Sequence, residues 1–146
     1  MEYGAFHAIV EDCKQRKPIL FGLESDRIPS ADEVYAIERE IQIRLPEKYK
    51  AFIRKYGGGY FGFANIYSLD KESSFFLLNH NCTPIDEYLR LADNGCGDYY
   101  AVRIDAGVCE DQLYVIDHEA QEICATEYAD ILEYLVRVGL KRNINV

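Results

Sequence analysis

Three consecutive glycines, Gly57-Gly58-Gly59, separate two hydrophobic rhythms in this chain. Before them apolar residues recur three and four apart, the period of a helix; after them they alternate, the period of a strand. A chain that opens on helices, turns to short strands at hairpin-like spacing and ends on one more helical stretch implies an α+β fold. Its N-terminal helices and C-terminal helix should flank a central antiparallel sheet of about five or six strands.

The helical part carries its own punctuation. Phe6, Ile9, Val10 and Cys13 form one apolar face over about residues 3–16, closed by Lys17-Pro18, because proline disfavours helical geometry in its predecessor. Residues 18–29 read as a connector with a short extended piece, Ile19-Leu20-Phe21. Ser30-Ala31-Asp32-Glu33 is a capping box, in which the Ser30 hydroxyl accepts from the Glu33 amide and the Glu33 carboxylate reaches back. Ile28 is placed to staple onto Val34, and Val34, Ile37 and Ile41 form the inward face. Pro46 suits the start of a third helix, where its missing amide is harmless. That helix should bury Tyr49, Phe52, Ile53 and Tyr56, and the glycines then stop it by supplying positive φ.

In the second part, the alternation through Phe61, Phe63, Asn65 and Tyr67 predicts one strand and Ser74–Leu78 a second. Tyr88–Ala92 gives a third, Tyr99–Asp105 a fourth and Gln112–Asp117 a fifth, with an edge strand near Ile123 and Cys124. Asp93 to Gly97 and Ala106 to Asp111 are the intervening turns. Thr126 is the expected cap of the final helix, whose apolar positions are Ile131, Leu132, Leu135 and Val138.

At 146 residues the chain is expected to form one domain over 1–146, long enough to bury roughly 68–70% of its unfolded surface. No apolar run approaches the ~20 residues of a membrane span, and Met1-Glu2-Tyr3-Gly4 does not begin a signal peptide. Five cysteines (Cys13, Cys82, Cys96, Cys109, Cys124) without a CxxC pair fit reduced thiols in a cytoplasmic protein better than a disulfide framework.

The net charge of −9 is one-sided. Residues 1–60 hold ten bases and ten acids, whereas residues 61–146 hold six bases and fifteen acids and carry the whole excess. Such a surface repels nucleic acid, whose binding needs cations against phosphates, and attracts a basic protein partner. The same charge also serves solubility alone.

No catalytic constellation emerges from spacing. Cys96, Cys109 and His118 offer soft ligands without zinc-like pairing, so no metal and no cofactor are expected. A Cys96–His118 nucleophile pair would need an orienting group and an oxyanion hole, to which no spacing points. Within Asp117-His118-Glu119 the flanking carboxylates can hold an imidazolium. Glu110 and Asp111 read as part of a solvated acidic turn. The triple glycine follows a helix and precedes a strand, the reverse of a phosphate cradle.

The stretch from Leu45 to Gly62, LPEKYKAFIRKYGGGYFG, resembles the SUKH superfamily, which includes the fungal Smi/Knr regulators of cell-wall glucan synthesis and many bacterial immunity proteins. Leu89–Asp98 (LRLADNGCGD), Leu113–Glu119 (LYVIDHE) and the helix Tyr128–Leu135 resemble later elements of that family in its order. The resemblance spans about residues 30–140. It implies a non-enzymatic binding module, foremost an immunity protein that blocks a nuclease-type toxin, with a basic cleft to complement the acid found here. A regulatory scaffold of the glucan-synthesis type is the second reading, and a small Cys/His enzyme the weakest. On a SUKH-like sheet Asp93, Asp98, Asp117 and Glu119 are expected on one rim beside Tyr99 and Tyr114, and these six are the expected partner contacts.

Overall fold

The computed structural model describes residues 1–143; the last three residues of the 1–146 span lie outside the described residues. Helices α1 (Tyr3–Arg16), α2 (Ala31–Ile41) and α3 (Glu47–Tyr56) precede the strands β1 (Gly59–Phe61), β2 (Ala64–Ile66), β3 (Tyr88–Asp93), β4 (Tyr99–Asp105), β5 (Val108–Asp117) and β6 (Glu122–Ala125). The strands form one antiparallel sheet in chain order. Helix α4 (Ile131–Tyr134) follows and continues as a π-helical turn, Leu135–Gly139.

Local chemistry explains the helices. Ser30 Oγ accepts from the Glu33 amide at 3.2 Å and the Glu33 carboxylate accepts from the Ser30 amide at 3.1 Å, so the capping box is complete. Arg27 donates to both Glu33 oxygens; that pairing, with the Ser30 amide, holds the Glu33 pKa down to about 2. Helix α3 buries Tyr49, Phe52, Ile53 and Tyr56. It stops at Gly57, whose φ of 84° and closeness to the Asp26 carbonyl, 2.1 Å from where a Cβ would sit, leave no room for a side chain.

One buried cluster joins these helices to the inner face of the sheet. Phe6, Phe52 and Phe61 meet edge-on or stacked, and Leu89, Leu91, Val102 and Leu113 belong to the same buried cluster as Leu132 and Leu135. Tyr49 is fully buried and donates its hydroxyl to the Tyr67 carbonyl at 2.6 Å. No helix among the described residues is long and apolar enough to cross a membrane.

Five local expectations are corrected. Ile19-Leu20-Phe21 is part of a 3-10 turn, Pro18–Phe21, which proline starts. The strand expected through Phe61–Tyr67 is a tight hairpin of two strands: Gly62 takes φ 58° and Phe63 is thrown outward at the turn. Ser74–Leu78 is no strand; it leads into a second 3-10 turn, Leu77–His80, with only a bridge from Phe76 to Ser68. Strand β5 begins at Val108, so Glu110 and Asp111 lie in a strand paired with β4 and not in a turn. Asp130 caps α4, accepting from the Glu133 amide at 2.9 Å, while Thr126 donates to the Leu113 carbonyl and so extends the sheet edge. Ile28 stays half exposed in the segment beside Gly57.

Candidate partner-binding surface

Strand pairing decides which side chains share a face. Paired residues point the same way, as do residues two apart on a strand. One row across the sheet is therefore Asp93, Tyr99, Ile116 and Ile123, and the next is Arg90, Ala101, Tyr114 and Ala125. The opposite face is packed on α4, where Tyr100 meets Tyr134 with ring centres 4.6 Å apart. On the outer face the Arg90 guanidinium sits 4.1 Å above the Tyr99 ring, and Tyr88 meets Tyr114 edge-on at 5.4 Å. Tyr99, Tyr114 and Ile116 are half-buried and Ile123 is exposed, so this face offers apolar area to solvent.

Two turns close the same end of that face. The β3–β4 turn is built by its own side chains: Asn94 Oδ1 accepts from the Cys96 and Asp98 amides, and Asp93 Oδ1 accepts from Gly95. The turn after β5 is held by Asp117 Oδ1, which accepts from the amides of Glu119 and Ala120. The two turns are joined by Asp98, whose Oδ1 accepts from the His118 amide at 3.1 Å and lies 2.7 Å from Nδ1 of its ring. Gly97 makes room for that ring, since a Cβ there would stand 3.0 Å from it.

This bond raises the His118 pKa above its ordinary 6.5, and the His118 ring and amide lower Asp98 below its ordinary 3.8. The imidazolium is held first by Asp98, twenty residues away, and its chain neighbours add smaller attractions, Glu119 from 4.0 Å at Nε2 and Asp117 beside it. Asp98, Asp117 and His118 bring potential ligand atoms within 4.8 Å of one another. Asp98 Oδ1 and His118 Nδ1 are already hydrogen-bonded to each other.

The six expected contacts separate into groups. Asp98, Asp117 and Glu119 surround His118 on the rim. Asp93 begins the same turn, but its second oxygen accepts from the Tyr67 hydroxyl at 2.8 Å, turning the carboxylate toward the sheet. Burial, then Asp93, pushes the Tyr67 pKa up, so that proton stays in place. Tyr99 lies in the row that runs to the rim, and Tyr114 one row further in, against Tyr88. Sequence reasoning missed Arg90, Tyr88, Ile116 and Ile123; the alternation within β5 and β6 was the available signal, and it does not say which face the helices cover.

The alternative chemistries find less support in the geometry. Cys109 is the second residue of β5 and His118 follows its far end, roughly 30 Å of strand apart, which separates the Cys96, Cys109 and His118 set. Asp98 orients His118 as a catalytic base would be oriented, yet no thiol is hydrogen-bonded to either ring nitrogen among the described residues.

The SUKH_6 family model, described as SMI1-KNR4 cell-wall, matches residues 31–135, from the start of α2 through α4. No curated protein and no solved structure matches the chain. The family match takes in the LPxxY helix, the glycine stop and both rim turns, and the chain belongs to the SUKH superfamily, in its SMI1-KNR4 family.

Proposed function

We propose that this protein is a non-enzymatic cytoplasmic binding module, an immunity protein that neutralises a basic, nuclease-type toxin domain by covering its active cleft. One observation carries the reading. Asp98, Asp117 and Glu119 crowd the end of a sheet face whose Tyr99, Ile116 and Ile123 reach solvent. Aromatic and aliphatic residues enrich the centres of protein interfaces, and a ring of one charge sign steers an oppositely charged partner. A nuclease supplies that charge, because its cleft must hold phosphates. The family's cell-wall description keeps a regulatory scaffold as the second reading.

The deciding experiment is capture of partners from the native host with the wild-type protein and with Glu119→Lys. A basic nuclease retained by the first and depleted with the second supports the immunity reading. Retention of cell-wall synthesis components instead supports the regulatory one, and equal retention by both proteins would remove the rim from the interface.

A further inference from the structure

A second concave feature stands apart from the acidic rim. It lies by β1, at the edge of the sheet opposite β6, and measures about 370 Å³. Phe21, Tyr56 and Phe61 form its floor, with Phe21 and Phe61 edge-to-face at 5.8 Å. Its lip is apolar but uncovered: Leu23 is 61% exposed, Ile28 50% and Tyr60 44%. Ile19 and Phe63, adjoining the wall residues Leu20 and Gly62, are 86% and 64% exposed. Among the described residues, three of the eight large apolar side chains left in solvent thus line this one cleft, and two more are chain neighbours of its lining residues. Exposed apolar patches of this kind mark interaction sites.

The charge here is opposite to that of the rim. Lys14 and Lys55 stand on the wall with one lining acid, Glu24, and Lys14 has Glu11 3.8 Å away on its own helix, in a chain of net −9. The Lys14 ammonium rides over two rings, 5.2 Å from Tyr56 and 5.7 Å from Phe21, and Lys141 rides over Phe63 at 5.3 Å. Cations are therefore spread among the exposed apolar groups. The wall is also pre-formed. The Asp26 amide donates to the Gly58 carbonyl at 2.9 Å, Ser68 Oγ donates to the Asp26 carboxylate at 2.6 Å, and Ser25 bridges Gly59. A wall already in place loses little freedom when a ligand arrives.

We infer that this cleft is a second docking site, which seats one large apolar side chain from an acidic segment of a partner protein, with the segment's carboxylates on Lys14 and Lys55. The exposed lip residues Leu23, Ile28 and Tyr60 leave the cleft open to solvent, which suits a side chain entering from a peptide that crosses it better than a ligand enclosed by it. The site does not depend on the immunity reading and lies apart from the rim. A small module with an acidic face and a basic apolar groove can hold two different partners at once.

The test is a titration of the full chain, followed by amide NMR shifts, with the peptide acetyl-(Glu-Asp)2-Phe-(Glu-Asp)2-amide. Shifts should concentrate at Leu23, Ser25, Tyr60 and Gly62. Replacing the peptide's Phe by Ala, or its acids by Lys, should weaken binding about tenfold or more, as loss of an anchor or of charge matching does. The Lys14→Glu/Lys55→Glu protein should prefer the lysine-flanked peptide, and Lys14→Gln/Lys55→Gln should lose the preference while keeping the wild-type fold pattern. Absence of shifts at millimolar peptide, shifts centred elsewhere, or indifference to flanking charge would overturn the proposal. So would 3-phenylpropionate binding as tightly as the peptide, which would make this a small-ligand pocket, or the same shifts arising from protein concentration alone, which would make it a self-association face.

Discussion

His118 Nδ1 and Asp98 Oδ1 lie 2.7 Å apart, so an exposed ion pair, beside the bond from the His118 amide to the same oxygen, ties the turn after β3 to the turn after β5. The consequence is a pH window. His118, with its folded pKa raised, contributes stability that is full below the unfolded value of 6.5 and is lost as pH climbs through the raised value. Asp98, with its pKa lowered, contributes stability that is present above 3.8 and lost as pH falls through the lowered value. The pair is whole between those limits. An NMR titration should give His118 a pKa above 6.5 in the wild type, returning toward that value in Asp98→Asn. The stability difference between the two proteins, from urea unfolding, should be larger at about pH 5.5 than at about pH 9. Equal differences would show that the contact is not an ion pair in solution.

Ser30→Ala should cost about 0.5–2 kcal/mol, since it removes the hydroxyl that accepts from the Glu33 amide at the start of α2. Gly62→Ala should cost about 1–3 kcal/mol: it places a β-carbon 2.1 Å from the Gly139 carbonyl in a left-handed backbone. Urea midpoints measure both. A neutral Gly62→Ala would mean that the hairpin does not pack on the end of the C-terminal helix as described.

The contrast between these two sites shows what was legible in the sequence. The start of α2 depends on residues three apart, and Ser30, Glu33, Val34 and Ile37 announce it. The hairpin at Gly62 depends on Gly139, far along the chain, whose carbonyl accepts from the Phe63 amide at 2.9 Å. Without that contact, Phe61 to Tyr67 reads as one strand. Thr126 likewise has the chemistry of a cap, but the edge of β5 takes its hydroxyl first. At the rim, the acid-rich turns were visible as turns. The pairing of Asp98 with His118 was not, because it requires the β4–β5 register that sets Tyr99 opposite Ile116.

The cysteines should divide by exposure. Cys82, Cys96 and Cys124 are exposed, Cys13 is buried, and burial pushes the Cys109 thiol up to about 12. Only thiolate reacts, so Cys109 stays inert near neutral pH. Ellman's reagent on the native, unreduced protein should therefore find three fast thiols, and all five after denaturation. Fewer than five under denaturing conditions would mean oxidation or modification and would count against the reduced-thiol reading.

The acidic rim makes a kinetic prediction. Long-range attraction acts mainly on association, because it raises the rate of productive encounter and fades within a Debye length of about 10 Å at 0.1 M salt. The side chain of Glu119 is 87% exposed, and no hydrogen bond to it is seen among the described residues, so Glu119→Lys alters the field with little effect on the fold. Asp117 differs, because its carboxylate holds the turn through the Glu119 and Ala120 amides. Asp117→Asn keeps that acceptor while removing the charge, whereas Asp117→Lys would confound binding with loss of the turn. The Asp117→Asn/Glu119→Lys protein should associate more slowly with a captured basic partner at low salt, and its rate should depend less on salt than the wild type's. Raising the salt should bring the two rates together, with dissociation changed less than association. Lowering the pH through the His118 titration should slow the wild type in the same direction, since each imidazolium cancels part of the rim's charge. Identical association rates at low and high salt for both proteins would place the interface away from Asp117 and Glu119.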